Sequence, residues 1–121
     1  MIDTIGTVDA LQSLRPMAQW VLRGDNLEWH DTEQTQPTEE EIVQKIAELQ
    51  YQEEVNEYKT LRAAAYPPYA DYVDGVVKGD QAQIDAYIAA CQAVKAAHPK
   101  QTIDAIELQS RKDQALIDHY K

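Results

Sequence analysis

Thr38–Ala65, TEEEIVQKIAELQYQEEVNEYKTLRAAA, decides the fold. It has no Pro or Gly and few β-branched residues, so nothing local interrupts a helix. Thr38 is a helix N-cap whose hydroxyl can accept an orphan backbone N–H, and Glu41, three residues on, completes a capping box. Glu39, Glu40 and Glu41 set negative charge at the positive end of the helix dipole. Pro67 and Pro68 stop the helix at its far end. At about 1.5 Å per residue it would run roughly 40 Å, so one end is expected to project or to meet a partner.

Its apolar positions fall into two runs, Ile42, Ile46 and Leu49, then Tyr51, Val55, Tyr58, Leu61 and Ala65. Spacings of three and four put each run on one stripe. The step from Leu49 to Tyr51 breaks the register, and no sustained heptad follows. The spacing is met equally by packing on the chain's own domain and by packing on other chains.

The 121 residues suffice for one small domain or a helical array. There is no Phe, against seven Tyr and two Trp. These rings nearly all carry a polar handle, which suits half-buried helix faces and interfaces. A single Cys excludes an internal disulfide framework. No stretch approaches 18 apolar residues and no basic region precedes an apolar run, so neither a membrane span nor a secretory signal is expected. The net charge is −10, of which −8 lies between Asp31 and Glu57, where nine acidic residues meet one Lys. No basic patch offers a nucleic-acid surface. The acidic block is expected as a solvated face that keeps the chain from self-associating or meets a basic partner.

Before the long helix, residues 1–36 are expected as an arm and a hairpin. Ile2, Ile5 and Val8 are three apart, but Gly6 and Thr7 discourage a helix, so a short extended or irregular arm ordered by a partner is expected. Pro16 marks a turn. Gln19–Leu22 and Leu27–His30 are candidate strands about a turn of Arg23, Gly24, Asp25 and Asn26. A lone hairpin is marginal in water, so Trp20 and Trp29 must pack on each other, on a helix or on another subunit. Arg23-Gly24-Asp25 matches the cell-adhesion tripeptide, but the composition of a tight turn produces it without that function. His30, Asp31 and Glu33 are metal-ligand types on a polar linker of residues 31–37, where a solvated loop is the expected outcome.

After the long helix (37–65), residues 66–100 form a helical pair. Pro68 suits a first helical turn, and Tyr69, Tyr72, Val73 and Val76 lie at i, i+3, i+4 and i+7. Gly75 either weakens this helix or permits close backbone approach. Gly79 is a C-cap glycine and Asp80 the next N-cap. Gln81–Ala97 is the cleanest amphipathic pattern, with Ile84, Tyr87, Ile88, Cys91, Val94 and His98 on one face. Cys91 is expected as apolar filler. Pro99 ends this helix. Residues 101–121, capped by Thr102, are expected as an exposed, frayed or partner-bound helix with no convincing stripe.

The overall expectation is a mainly α chain with a short N-terminal β-hairpin, one long helix and a small helical C-terminal knob. The knob would pack against the end of the long helix at Leu61, with Tyr66, Pro67, Pro68, Tyr69 and Tyr72 at the junction. There is no Gly-rich phosphate loop, paired Cys motif, HExxH or GxSxG elbow, and His30, His98 and His119 are scattered. No enzyme, metal or cofactor is therefore expected.

Leu61–Asp80, LRAAAYPPYADYVDGVVKGD, with an arginine and a Tyr-Pro pair before a short helix and a Lys-Gly turn, resembles a segment near the C-termini of small tailed-bacteriophage proteins. YIAACQAVKAAHPK, Tyr87–Lys100, resembles the helix that completes that unit. Upstream, Leu27–Asp31 and Gln36–Ile42 are similar to the Trp-Asp and Gln-Pro-Thr-x-Glu-Glu-Ile pattern of phage tail or tail-fibre accessory proteins. The resemblance spans residues 27 to 100 and carries over no catalytic residue. It implies a tail or tail-fibre structural protein, located in the virion tail and in the host cytoplasm during assembly. Its partners would be other tail or fibre proteins or further copies of itself, with no nucleic acid or membrane. Trp20, Trp29, Ile42, Ile46 and Leu49 would make the contacts. The alternatives are an assembly chaperone absent from the mature virion and an acidic inhibitor of a host nucleic-acid enzyme.

Overall fold

The computed structural model describes residues 5–121. Its elements are α1 (Thr7–Leu14), β1 (Trp20–Arg23), β2 (Asn26–Trp29), α2 (Glu39–Ala65), α3 (Tyr69–Lys78), α4 (Gln81–Ala97) and α5 (Ala105–His119). The chain is mainly helical with one short antiparallel hairpin, as the sequence predicts. It forms two compact units. One runs to Glu54 and includes Ile103–Lys121; the other is Val55–Thr102.

In the first unit the expected irregular arm is instead helical over Thr7–Leu14. Glycine costs most inside a helix, whereas Gly6 is the N-cap, in extended conformation. The Asp9 carboxylate accepts the Gly6 N–H at 2.9 Å. Ala10 and Leu11 are fully buried, so packing outweighs the weak local propensity. Ile2, assigned to the same arm, lies outside the described residues.

The hairpin pairs Trp20 with Trp29, Val21 with Glu28, Leu22 with Leu27 and Arg23 with Asn26. This leaves Gly24-Asp25 as a two-residue loop. Gly24 has φ +62°, a left-handed value at the first loop position, where a type II′ turn needs it. Arg23, of the adhesion-like tripeptide, is bonded to Glu28 at 2.6 Å.

The α2 N-terminus forms the capping box its sequence predicts. The Glu41 N–H donates to Thr38 Oγ1 at 3.1 Å and the Thr38 N–H to Glu41 Oε1 at 2.8 Å. The α2 helix runs unbroken past Tyr51. No residue from Glu41 to Leu49 is exposed.

In the second unit, α3 and α4 form a helical hairpin. Gly79 takes φ +68° and ends α3, while Asp80 N–H reaches back to Gly75 O at 2.9 Å. Asp80 Oδ1 then caps α4 by accepting the Gln83 N–H. Gly75 is buried, and a Cβ there would lie 3.1 Å from Ile84 Cγ1, so here glycine serves a close approach of the two helices. At the last helix Asp104, not Thr102, is the N-cap, accepting the Glu107 N–H at 3.0 Å.

Candidate interaction surfaces

The loop between β2 and α2, expected as a solvated linker, is a hydrogen-bonded clasp. Asp31 Oδ1 accepts the N–H groups of Glu33 and Gln34, and Oδ2 accepts that of Gln19. These backbone donors, Gln34 first, hold the Asp31 carboxyl below its usual range. Trp29 Nε1 donates to Gln34 O at 2.9 Å, and Gln34 Nε2 to Pro16 O at 2.9 Å. Arg15 Nε donates to Thr35 O at 2.8 Å, and its Nη2 lies 3.8 Å from Glu41 Oε1. The loop thus joins the end of α1 to the hairpin and to α2. Among the described residues no cluster of three metal-ligating side chains occurs, and Asp31 is occupied by backbone donors.

The residues expected to contact other proteins are neither buried nor fully exposed. Trp20 and Trp29 are half-buried, as are Ile42, Ile46 and Leu49. At about 100° per residue, Ile42, Ile46 and Leu49 point away from Glu48, Tyr51 and Glu54. The second set is held by α5, which runs antiparallel to α2. Arg111 Nη1 and Nη2 donate to Glu54 at 2.9 and 3.0 Å, and Arg111 Nε to Glu107 at 2.7 Å. The guanidinium lies 4.9 Å from the Tyr51 ring centre. The Tyr51 hydroxyl accepts the Asp104 N–H at 3.2 Å. Lys112 lies 3.1 Å from Glu48, which also bonds Lys45, and His119 lies 3.2 Å from Glu39. Lys45 and then Lys112 lower the Glu48 pKa, and Arg111 lowers that of Glu54. The acidic block is therefore partly satisfied by this chain's own cations.

In the second unit Leu61 is exposed and Tyr69 is 66% exposed, while Tyr66, Pro67 and Tyr72 are half-buried and Pro68 exposed. Tyr72 stacks on Tyr69, with ring centres 5.8 Å apart, and meets Tyr87 of α4 at 5.5 Å. Arg62 ties the end of α2 to α4. It donates to His98 O at 2.8 Å and Lys95 O at 3.4 Å, with its guanidinium 5.0 Å from the Tyr58 ring centre. Arg62 could have been suspected from sequence, since it lies one turn after Tyr58 on the same stripe.

Exposed apolar side chains lie on α3 and α5, besides Val8, Met17 and Val21 of the first unit. On α3, Tyr69, Val73, Val76 and Val77 are exposed, Val77 by 78%. Their spacing of i, i+4, i+7 and i+8 makes one stripe about 100° wide. On α5, Ile106 is 82% exposed, with Ile117 and, just past the helix, Tyr120 also exposed. The groove holding Ile106, Asp113 and Ile117 is lined by α5 residues alone, so it lacks a second wall. The α3 periodicity was legible in the sequence, but which of its apolar residues remain outside was not. Among the described residues no helix is long and apolar enough to cross a membrane.

Comparison with protein-family models, with curated proteins and with solved structures finds no match to this chain.

Proposed function

We propose that this chain is a structural protein of a bacteriophage tail or tail fibre, acting through protein–protein contacts. The observation that carries the contact role is the exposed apolar stripe Tyr69/Val73/Val76/Val77 on α3, joined by the exposed Ile106 and Ile117 on α5. Exposed apolar stripes of this kind mark surfaces that other proteins cover. The resemblance of residues 27–100 to tail accessory proteins supplies the phage assignment. In this reading the Trp20/Trp29 hairpin and the Ile42/Ile46/Leu49 face build the N-terminal unit, and the contact role passes to α3 and α5.

A second reading, an assembly chaperone released before the particle is complete, is favoured by the charged attachment of α5, which a binding partner could displace. A mass-spectrometric census separates the two. Stoichiometric copies in purified particles support the structural role. A soluble complex with one tail or fibre protein in infected cells, and no copies in particles, supports the chaperone. In either case Val77→Asp and Ile117→Asp should abolish incorporation or complex formation while leaving the helical circular dichroism intact. Undiminished assembly with both changes would refute these stripes as contact surfaces.

A further inference from the structure

We propose that α5 is a detachable strap, held against the Glu48–Glu54 face of α2 chiefly by charge, with the Tyr51 ring as its main apolar support. No residue of α5 is buried. Its half-buried side, Leu108, Arg111, Lys112, Ala115 and Leu116, has two cations at its centre. The contacts that fix it on α2 are side-chain tips: Arg111 on Glu54, Lys112 on Glu48 and His119 on Glu39. The uncharged additions are the hydrogen bond from Asp104 N–H to the Tyr51 hydroxyl, the buried Tyr51 ring beneath Arg111, and the half-buried Leu108, Ala115 and Leu116.

These ion pairs are open to solvent to differing degrees, Arg111–Glu54 more than Lys112–Glu48. Solvent-accessible ion pairs are individually weak and are screened by salt, whereas buried apolar contacts are not. The α1 helix, with Ala10 and Leu11 fully buried, has the opposite kind of attachment in the same unit. The two attachments therefore respond differently to ionic strength. When α5 leaves, Tyr51 and the carboxylates of Glu48 and Glu54 are uncovered together, giving an aromatic and acidic face on α2. The helix that leaves carries Ile106 and Ile117 with it. The strap does not depend on the chain serving a phage tail.

Hydrogen–deuterium exchange of the full chain, read by mass spectrometry, tests the strap. Raising NaCl from about 0.05 M to about 1 M shortens the Debye length to about 3 Å. The amides of Ala105–His119 should then exchange about tenfold faster, while those of α1, α3 and α4 hold their rates. Arg111→Leu should speed α5 exchange at low salt and flatten its salt response, and Arg111→Lys should retain most of that response. Salt-independent exchange of α5 would overturn the proposal. So would a loss of protection shared equally by α1, or an Arg111→Leu protein whose α5 exchanges as slowly as the original.

Discussion

Arg111 grips Glu54 with two parallel hydrogen bonds, 2.9 and 3.0 Å long, across 57 positions of sequence. The same guanidinium lies 4.9 Å from the Tyr51 ring centre. A forked donor matches a carboxylate in a way a point charge cannot. One side chain thus joins the C-terminal helix to the long helix.

Tyr51 completes this node, being buried and accepting the Asp104 N–H. Tyr51→Phe keeps the ring and orphans that donor. It should lower stability by about 1 kcal/mol in urea denaturation. Tyr51→Ala also removes the buried ring and should cost about 3 kcal/mol or more.

Gly75 sets the approach of α3 to α4. Alanine there gains about 1 kcal/mol of helix propensity but places its Cβ 3.1 Å from Ile84 Cγ1. Gly75→Ala should therefore change the thermal midpoint little. Gly75→Val should destabilise by about 1–3 kcal/mol through overpacking.

Arg62 holds the end of α2 to α4 through two carbonyls. Arg62→Ala should cost about 1–2 kcal/mol, and Arg62→Lys should recover less than half of it, because an ammonium cannot reproduce the fork. Faster amide exchange near His98 is the local readout.

Acid should loosen the first unit. Asp31 has its folded pKa lowered from 3.8, and Glu48 and Glu54 theirs from 4.5. A carboxylate depressed on folding contributes stability that is present above its unfolded value and is lost as pH falls through its folded value. These contributions should be whole at neutral pH and should disappear progressively below 4.5 and then 3.8. Carboxyl carbon chemical shifts, followed by NMR from pH 7 downward, should give all three midpoints below those ordinary values.

The elements themselves were legible locally. Thr38 and Glu41, Gly79 and Asp80, and the Gly24-Asp25 loop each act within a few residues, so their side-chain and backbone chemistry is written in sequence. Where legibility failed, a distant partner decided. Gly6 and Thr7 argue against a helix, yet Leu11 is fully buried and α1 forms.

The sequence by itself determined that a long capped acidic helix follows a short hairpin and precedes a helical pair, because caps, turns and periodicity are short-range. Only the tertiary structure decided which stripes remain outside. Ile42, Ile46 and Leu49 are half-buried, while Val77 and Ile106 were left exposed. Periodicity gives a helix an apolar face, but what covers that face is set by residues far along the chain, as Arg111 is from Glu54.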